Sequence, residues 1–492
     1  MITFATVSDL MPIIPELILT FVAILVLIVD LVGTQTKYRI TAAVLSIFGL
    51  CIAIVAEIQL FGENYTGFFN TVVADEYSIL FEIIYMITGI ITIMISWHYI
   101  AENKMNFREY YALILFAIIG MMFMTSSTDL LLIFIGLEIM SISSYILVGM
   151  MRQSVKSNEA ALKYLMLGAF STGFLLYGIS LLYGATASTK LPEIVSHLQE
   201  HGVFNNPLTG FGLALLVIGV GFKVAIVPFH MWTPDVYSGA PTPVTAFMSA
   251  AAKAAGFAML IRIFLTGIPY AERWDNLMWL ITVLTMTVGN VMALKQISIK
   301  RMLAYSSIAH AGYVMVAVVA GSEAAISGII FYSLAYALMG VGAFGVLSIQ
   351  SKGRTLETYD DFTGYASQGP KEQVMAFLMS IFMLSLLGLP LTAGFVGKFQ
   401  IFYAALDAGW VWLTVIAAMN SVISLFYYLR VIVCMYMKDP LDSAVDGNEQ
   451  PTFSSVFAIS GLLGTAIAVL YLGVFPNRFV ELAQLSVKTI SF

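Results

Sequence analysis

Charge is what this sequence has least of. Of 492 residues, 23 are Lys or Arg and 29 are Asp or Glu, 11% in all, where a soluble domain carries about 25%. With 60% hydrophobic residues and a mean hydropathy of +0.91, the chain reads as an integral membrane protein. Cysteine is nearly absent: Cys51 and Cys434 lie far apart in apolar runs, which argues against a disulfide framework or a cysteine metal site. No basic patch or arm exists to read phosphates, so no nucleic-acid partner is expected. There is no Walker A sequence, and the five histidines, His98, His197, His201, His230 and His310, lack metal-ligand spacing such as H-E-x-x-H. Gly340 to Gly345, GVGAFG, spells a dinucleotide fingerprint but lies inside an apolar run with no strand before it, which predicts close helix packing instead. The chain has no visible means of carrying redox chemistry, and no cofactor or metal is expected in it.

Long apolar runs are what fill the space. A bilayer needs about 20 apolar residues per helix, and about fourteen such runs are centred near residues 22, 50, 87, 116, 140, 172, 222, 254, 287, 311, 337, 388, 423 and 464. The first, from about Pro12 to Val32, is too long for a signal h-region and has no basic n-region before it, so it is a span. The polar connections Glu63 to Asp75, Lys190 to Asn206, Lys352 to Lys371 and Lys438 to Pro451 are too small for a separate soluble domain. The fold class is therefore an all-α polytopic membrane protein. Odd-numbered connections, from Lys37 and Arg39 through to Arg430 and Lys438, hold roughly three times the Lys and Arg of the even ones. That bias puts the odd connections in the cytoplasm, or its organellar equivalent, and both termini outside.

The stretch from Gly219 to Lys253 is the most informative, because it places Lys223 and Lys253 inside otherwise apolar segments. A charge at bilayer depth costs about 3 kcal/mol on insertion scales, so such residues face a protein interior or a wet cavity and are functional by default. Pro228 lacks an amide hydrogen and its ring crowds the carbonyl at Val224, predicting a break in the seventh span with unpaired carbonyls beside Lys223. Lys398 has a similar setting: Gly388, Pro390, Gly394 and Gly397 should interrupt the twelfth span just before it. Corresponding breaks five helices apart point to two inverted five-helix repeats, spans 4 to 8 and 9 to 13. The implied divisions are residues 1–100, 101–268, 269–440 and 441–492, the last holding a fourteenth span.

Polar stripes accompany these lysines. Glu138 is an intramembrane acid in the fifth span, with Ser141 and Tyr145 at i+3 and i+7. The eighth span carries Thr245, Ser249 and Lys253, and the tenth Ser306, Ser307, His310 and Tyr313. Lipid offers such groups no partners, so the stripes face inward. Aligned in a bundle, Glu138, Lys223, Lys253, His310 and Lys398 form a candidate chain of titratable groups suited to proton transfer, with Glu138 pairing with Lys223 as a switch. The bland alternatives are structural ion pairing for Glu138, Lys223 and Lys253, snorkelling for Lys398, and a satisfied core position for His310. Glu16, Asp30, Glu57 and Glu82 sit near predicted span ends, where a solvated or interfacial role is expected.

Three segments carry a resemblance: GFKVAIVPFHMWTPDVYSGAPTPVTAF from Gly221, KQISIKRMLAYSSIAHAGY from Lys295 and GLPLTAGFVGKF from Gly388. They resemble the antiporter-like membrane subunits of proton-pumping NADH:quinone oxidoreductase, respiratory complex I, over roughly residues 100 to 440, and best its subunit N type. The resemblance implies a fourteen-helix fold with two inverted repeats. It also implies that Glu138 and Lys223 are the fifth-helix and seventh-helix pair, Lys253 the connecting lysine, and Lys398 the twelfth-helix lysine near the exit. It further implies a non-redox, proton-translocating subunit in a bacterial inner membrane, with flavin, iron-sulfur clusters and quinone in partner subunits. Related chains occur in cation/proton antiporters and membrane-bound hydrogenases, the alternative reading.

Overall fold

The structure, a computed structural model, describes residues 7–32, 35–103, 109–203, 205–267, 274–349, 357–440 and 453–490. Lys104, Arg108, Arg273, Lys352 and Arg354 lie outside the described residues, as do the side chains of Asp30, Lys37 and Arg39. Among the described residues thirteen helices are long and apolar enough to cross a membrane. A shorter apolar helix, Tyr110–Ser126, stands fourth in chain order, so all fourteen expected spans have a helix. Several begin at a side chain that takes up an orphan amide. Asp75 accepts from Ser78 N, Asp129 from Leu131 and Leu132 N, Asn206 from Leu208 N, and Ser298 from Arg301 N.

The connections hold more structure than their polarity suggested. The Glu63 to Asp75 connection contains an antiparallel hairpin, Tyr65–Gly67 against Val72–Ala74, with Tyr65 opposite Ala74. Lys190 to Asn206 contains the amphipathic helix Leu191–His201, which buries Leu191, Ile194 and Leu198 on one face. A second amphipathic helix, Asn477–Lys488, follows the fourteenth span and packs on the third and eleventh.

Both predicted breaks are present. The seventh span runs Pro207–Val224, turns through Ala225 at φ +62°, and resumes as Trp232–Gly239 beyond a cis Val227–Pro228 bond. The twelfth runs Pro370–Leu387, turns through Gly388 at φ +90°, and resumes as Ala393–Asp407. The two sets of five spans pack alike: the fourth lies on the fifth as the ninth lies on the tenth. Five is odd, so the second set is inverted relative to the first, as expected. The eighth, tenth and eleventh spans are almost wholly enclosed and form the heart of the bundle. The eighth is not a plain α-helix: π-helical turns at Met248–Ala252 and Ile261–Gly267 flank the α-helical segment Lys253–Leu260.

Close approach of backbones explains several glycines. A Cβ on Gly120 would lie 2.6 Å from Gly136 O, and one on Gly136 would lie 2.8 Å from Gly120 O. In the GVGAFG run, a Cβ on Gly345 would lie 2.6 Å from Leu462 Cδ2 and one on Gly342 would strike the Phe382 ring, which bears out the packing expectation. Replacing Gly136 with Leu should force the fourth and fifth spans apart at a cost of about 1–3 kcal/mol or more. A melting temperature of the purified assembly equal to that of the unaltered one would count against this contact.

Candidate functional site: a buried seam of lysines

Lys223 occupies the last turn of the first half of the seventh span and is 5% exposed. Its Nζ donates to Ser141 Oγ at 2.9 Å and Tyr164 OH at 3.4 Å, and lies 5.7 Å from the Tyr164 ring centroid. Glu138 is one turn before Ser141 on the fifth span, half-buried, and its buried Oε1 has no hydrogen-bond partner among the described residues. The expected Glu138 to Lys223 pair is thus not closed; Lys223 rests on hydroxyls instead.

The unpaired carbonyls expected beside Lys223 are a second correction. Left-handed Ala225 closes the helix end with two bonds, Ile226 N to Gly221 O at 3.0 Å and Ala225 N to Phe222 O at 3.1 Å. Phe222 O also accepts from Trp232 Nε1 at 3.0 Å. At the twelfth span the expected break is present and carbonyls of its turn face the lysine. Gly388 makes the same closure, and Lys398 Nζ, reaching back from the second half, donates to Leu386 O at 3.0 Å and Leu387 O at 2.8 Å. It also donates to Ser421 Oγ at 3.1 Å and stands 4.9 Å over the Tyr313 ring.

Lys253 and His310 fill the space between. Lys253 Nζ donates to Ser307 O at 2.5 Å and Ser307 Oγ at 3.0 Å. His310, one turn further along the tenth span, shares hydrogen bonds from Nδ1 with Tyr332 OH at 2.5 Å and from Nε2 with Tyr428 OH at 2.8 Å. Tyr428 OH is in turn bonded to Ser306 Oγ. A cavity of about 20 Å³ is lined by Lys253, Ser307, His310, Tyr332, Ser333 and Tyr336 among others, enough for one water, which polar walls of this kind can hold. From His310 the Tyr313 ring lies 5.6 Å away, and beyond it stands Lys398. The Tyr313 hydroxyl is tied into a buried cluster: Asn290 Nδ2 donates to it at 3.2 Å, and Tyr427 OH donates to Asn290 Oδ1 at 2.8 Å.

Lys223, Lys253, His310 and Lys398 are therefore buried inside the bundle and Glu138 is half-buried, with Lys253 and His310 lining one cavity and His310 and Lys398 both against the Tyr313 ring. No carboxylate lies within 4 Å of any of the three lysines among the described residues. Each amine is held by neutral oxygens alone. The second half of the seventh span carries two buried hydroxyls, Tyr237 OH and Thr233 Oγ1, that have no hydrogen-bond partner among the described residues; Tyr237 is within electrostatic reach of Tyr164, which bonds Lys223, and of Tyr336, which lines the cavity beside Lys253. Tyr164, Tyr237, Tyr332, Tyr336 and Tyr428 are what the sequence reading missed: 24 tyrosines are scattered through the chain, and spacing marked only Tyr145 and Tyr313.

Two more cations belong inside. Arg262, counted with the even connections, is fully buried: Nη1 bonds Asp75 Oδ2 at 2.6 Å, Nη2 bonds Asp75 Oδ1 at 2.9 Å and Nε donates to Thr125 O at 3.0 Å. Lys300, counted with the odd connections, is 3% exposed and donates to Ala240 O at 2.6 Å. Near it, a cavity of about 280 Å³ is lined by Lys156, Glu159, Lys163, Asp235, Arg301 and Glu357 among others. Asp235 there bonds Lys163 at 2.8 Å and Arg301 at 2.9 Å. Glu16, Glu57 and Glu82, expected at solvated span ends, are buried to between 1% and 3% exposure. Their span ends are capped by neighbouring helices and not by water. Among the described residues no group of three His, Cys, Asp or Glu is arranged to hold a metal.

Known proteins share this arrangement. A family described as NADH:quinone oxidoreductase/Mrp antiporter, TM, matches residues 127–424. The chain is 45% identical over 97% of its length and 97% of the relative's to the NADH-quinone oxidoreductase subunit N of Trichlorobacter lovleyi. It is 42% identical, over 98% of both chains, to subunit N 1 of Solibacter usitatus. Among solved structures, a chain of respiratory complex I from Thermus thermophilus with bound aureothin superimposes with a TM-score of 0.80 at 31% identity, covering 96% of this chain and 100% of that one. The Mrp complex from a Dietzia species shares the fold alone, with a TM-score of 0.83 at 19% identity over 98% of this chain and 97% of that one. The chain belongs to the antiporter-like membrane subunits of NADH-quinone oxidoreductase, in the subunit N family.

Proposed function

We propose that this chain carries protons across the membrane for an NADH-quinone oxidoreductase, along the seam from Glu138 through Lys223, Lys253 and His310 to Lys398. The observation that carries the reading is the set of three buried amines held by hydroxyl and carbonyl oxygens, one of which, Lys253, lines a cavity that fits a water. An ammonium so held gives up its proton without leaving a carboxylate unpaired in the interior, and hydroxyls and a water can take it on. Electron transfer takes place elsewhere. The relatives are named as subunits of an NADH-quinone oxidoreductase, which supports partner subunits that handle NADH and quinone; in this reading flavin and iron-sulfur clusters belong to those partners, and quinone reduction there alters the charge near Glu138. The Lys223 ammonium then exchanges Ser141 for the Glu138 carboxylate or returns to it, which changes its affinity for a proton. Protons pass by Tyr237 and Thr233 to Lys253, across the His310 tyrosines, and leave from Lys398.

The basic-residue bias supports odd connections in the cytoplasm and termini outside, in a bacterial inner membrane. The charged cavity around Asp235 and Arg301 then faces the cytoplasm. The working divisions are residues 1–100 for the first three spans, 101–268 and 269–440 for the two repeats, and 441–492 for the last span. The test is Lys223→Ala in the assembled complex, with vesicle acidification read alongside NADH oxidation. Acidification per NADH should fall; an unchanged ratio removes Lys223 from the path.

A further inference from the structure

The first three spans lie outside the two repeats and outside the lysine seam, yet they bury three carboxyl groups. Glu16 lies on the first span, Glu57 near the end of the second, and Glu82 on the third; they are 2%, 1% and 3% exposed. The three helices pack in sequence, first on second and second on third. Glu57 and Glu82 stand on packed neighbouring spans, within electrostatic reach of each other. Ionised carboxylates only accept, so two carboxyl groups so placed can bond to each other only when one of them holds a proton to donate. Glu16 is an independent observation. It arrives from another helix, within electrostatic reach of both other acids. Both its oxygens are buried and have no hydrogen-bond partner among the described residues, and one oxygen each of Glu57 and Glu82 is in the same condition.

Nothing nearby neutralises three negative charges. Around the cluster the third span contributes Asp75, Tyr77 and Tyr85, and the eighth contributes Arg262. Tyr85 OH is bonded to Thr125 Oγ1 and Tyr77 OH donates to Ala258 O. Among the described residues Arg262 is the cation near the cluster, and Asp75 holds it through both oxygens. The first two spans supply no other acid or base among the described side chains facing the cluster. Isolated carboxylates in an apolar interior cost far more than neutral acids, and like charges side by side cost more still.

We propose that Glu16, Glu57 and Glu82 form a proton-sharing site separate from the lysine seam, in which three carboxyl groups hold at least two protons at neutral pH. The site is built on the side of the membrane where Asp75 caps the third span and Arg262 ends the eighth. Glu82 lies two turns from Asp75 on one helix, and Arg262 lies nine residues from Lys253 on another. A change in the number of protons held is thereby placed next to the ion pair that anchors the Lys253 helix.

Infrared spectroscopy of the purified, assembled complex tests this by its protonated-carboxyl stretch, recognised by its shift in heavy water. At neutral pH, Glu57→Gln and Glu82→Gln should each remove part of that band, whereas Lys253→Met should leave it in place, so that failure of the seam and failure of this site are separable. No loss of band in either glutamine variant overturns the proposal. If a glutamine variant fails to assemble, titrating the unaltered complex decides: a band that is absent at neutral pH and grows only in acid overturns it. Exchanging choline chloride for sodium chloride at fixed pH is the remaining arm. A band that vanishes in sodium makes the occupant a metal cation and overturns the proposal; an unchanged band supports it.

Discussion

Replacing Lys253 with methionine stops proton flow through this chain while leaving the assembly intact. Methionine keeps the length and the apolar stem, so packing within the eighth span changes little. What is lost is the donor to Ser307 O and Ser307 Oγ, the partners of the amine among the described residues. Groups that transfer protons contribute about 10²–10⁴-fold to the rates of the steps they serve. The measurement is the ratio of protons moved to NADH oxidised in reconstituted vesicles. The contribution of this chain should fall by about a hundredfold or more. A ratio equal to that of the unaltered complex, in a fully assembled variant, would show that the seam is not the path.

The second large effect is on stability and comes from Asp75. Its carboxylate takes two hydrogen bonds from Arg262 and caps the third span by accepting from Ser78 N at 2.8 Å. Arg262 also lies 4.9 Å over the Tyr77 ring, and both partners of the pair are fully buried. Truncating Asp75 to Ala leaves a guanidinium without its counter-ion in the interior, a change that costs about 3–5 kcal/mol, and removes a cap worth about 1 kcal/mol more. Asp75→Ala should therefore fail to accumulate in the membrane or melt far below the unaltered protein. Removing both charges is gentler, since apolar replacement of a buried pair is often neutral. Asp75→Leu combined with Arg262→Met should recover most of the loss in a thermal melt. A double variant as unstable as Asp75→Ala would mean that the pair is not what holds these helices.

The architecture was legible because the bilayer imposes it. Runs of about 20 apolar residues have few alternatives to a spanning helix, and the prolines near Lys223 and Lys398 marked the broken spans. Depth was harder to read. Glu16, Glu57 and Glu82 stand near helix ends in sequence, and nothing local says that neighbouring helices roof those ends over. Asp75 and Arg262 are 187 residues apart, so no spacing rule connects them. The breaks were predicted but their chemistry was only half right: left-handed Ala225 and a tryptophan indole satisfy carbonyls that proline geometry alone would leave open. The π-helical turns beside Lys253 left no trace in composition, because Met248 to Ala252 is as apolar as any α-helical run.

The two broken spans differ in what their amines lean on. Lys223 rests on two hydroxyls, and each can receive a hydrogen on one lone pair while releasing its own from the other side. Lys398 rests on two main-chain carbonyls and a serine, and a carbonyl oxygen has no hydrogen to release. The first break is thus chemically two-way, and at the second only Ser421 or solvent can receive the hydrogen and forward it. Beside Lys223 two hydroxyls can pass a hydrogen on and beside Lys398 one can, so the two ends of the seam are chemically unlike before any part of it moves.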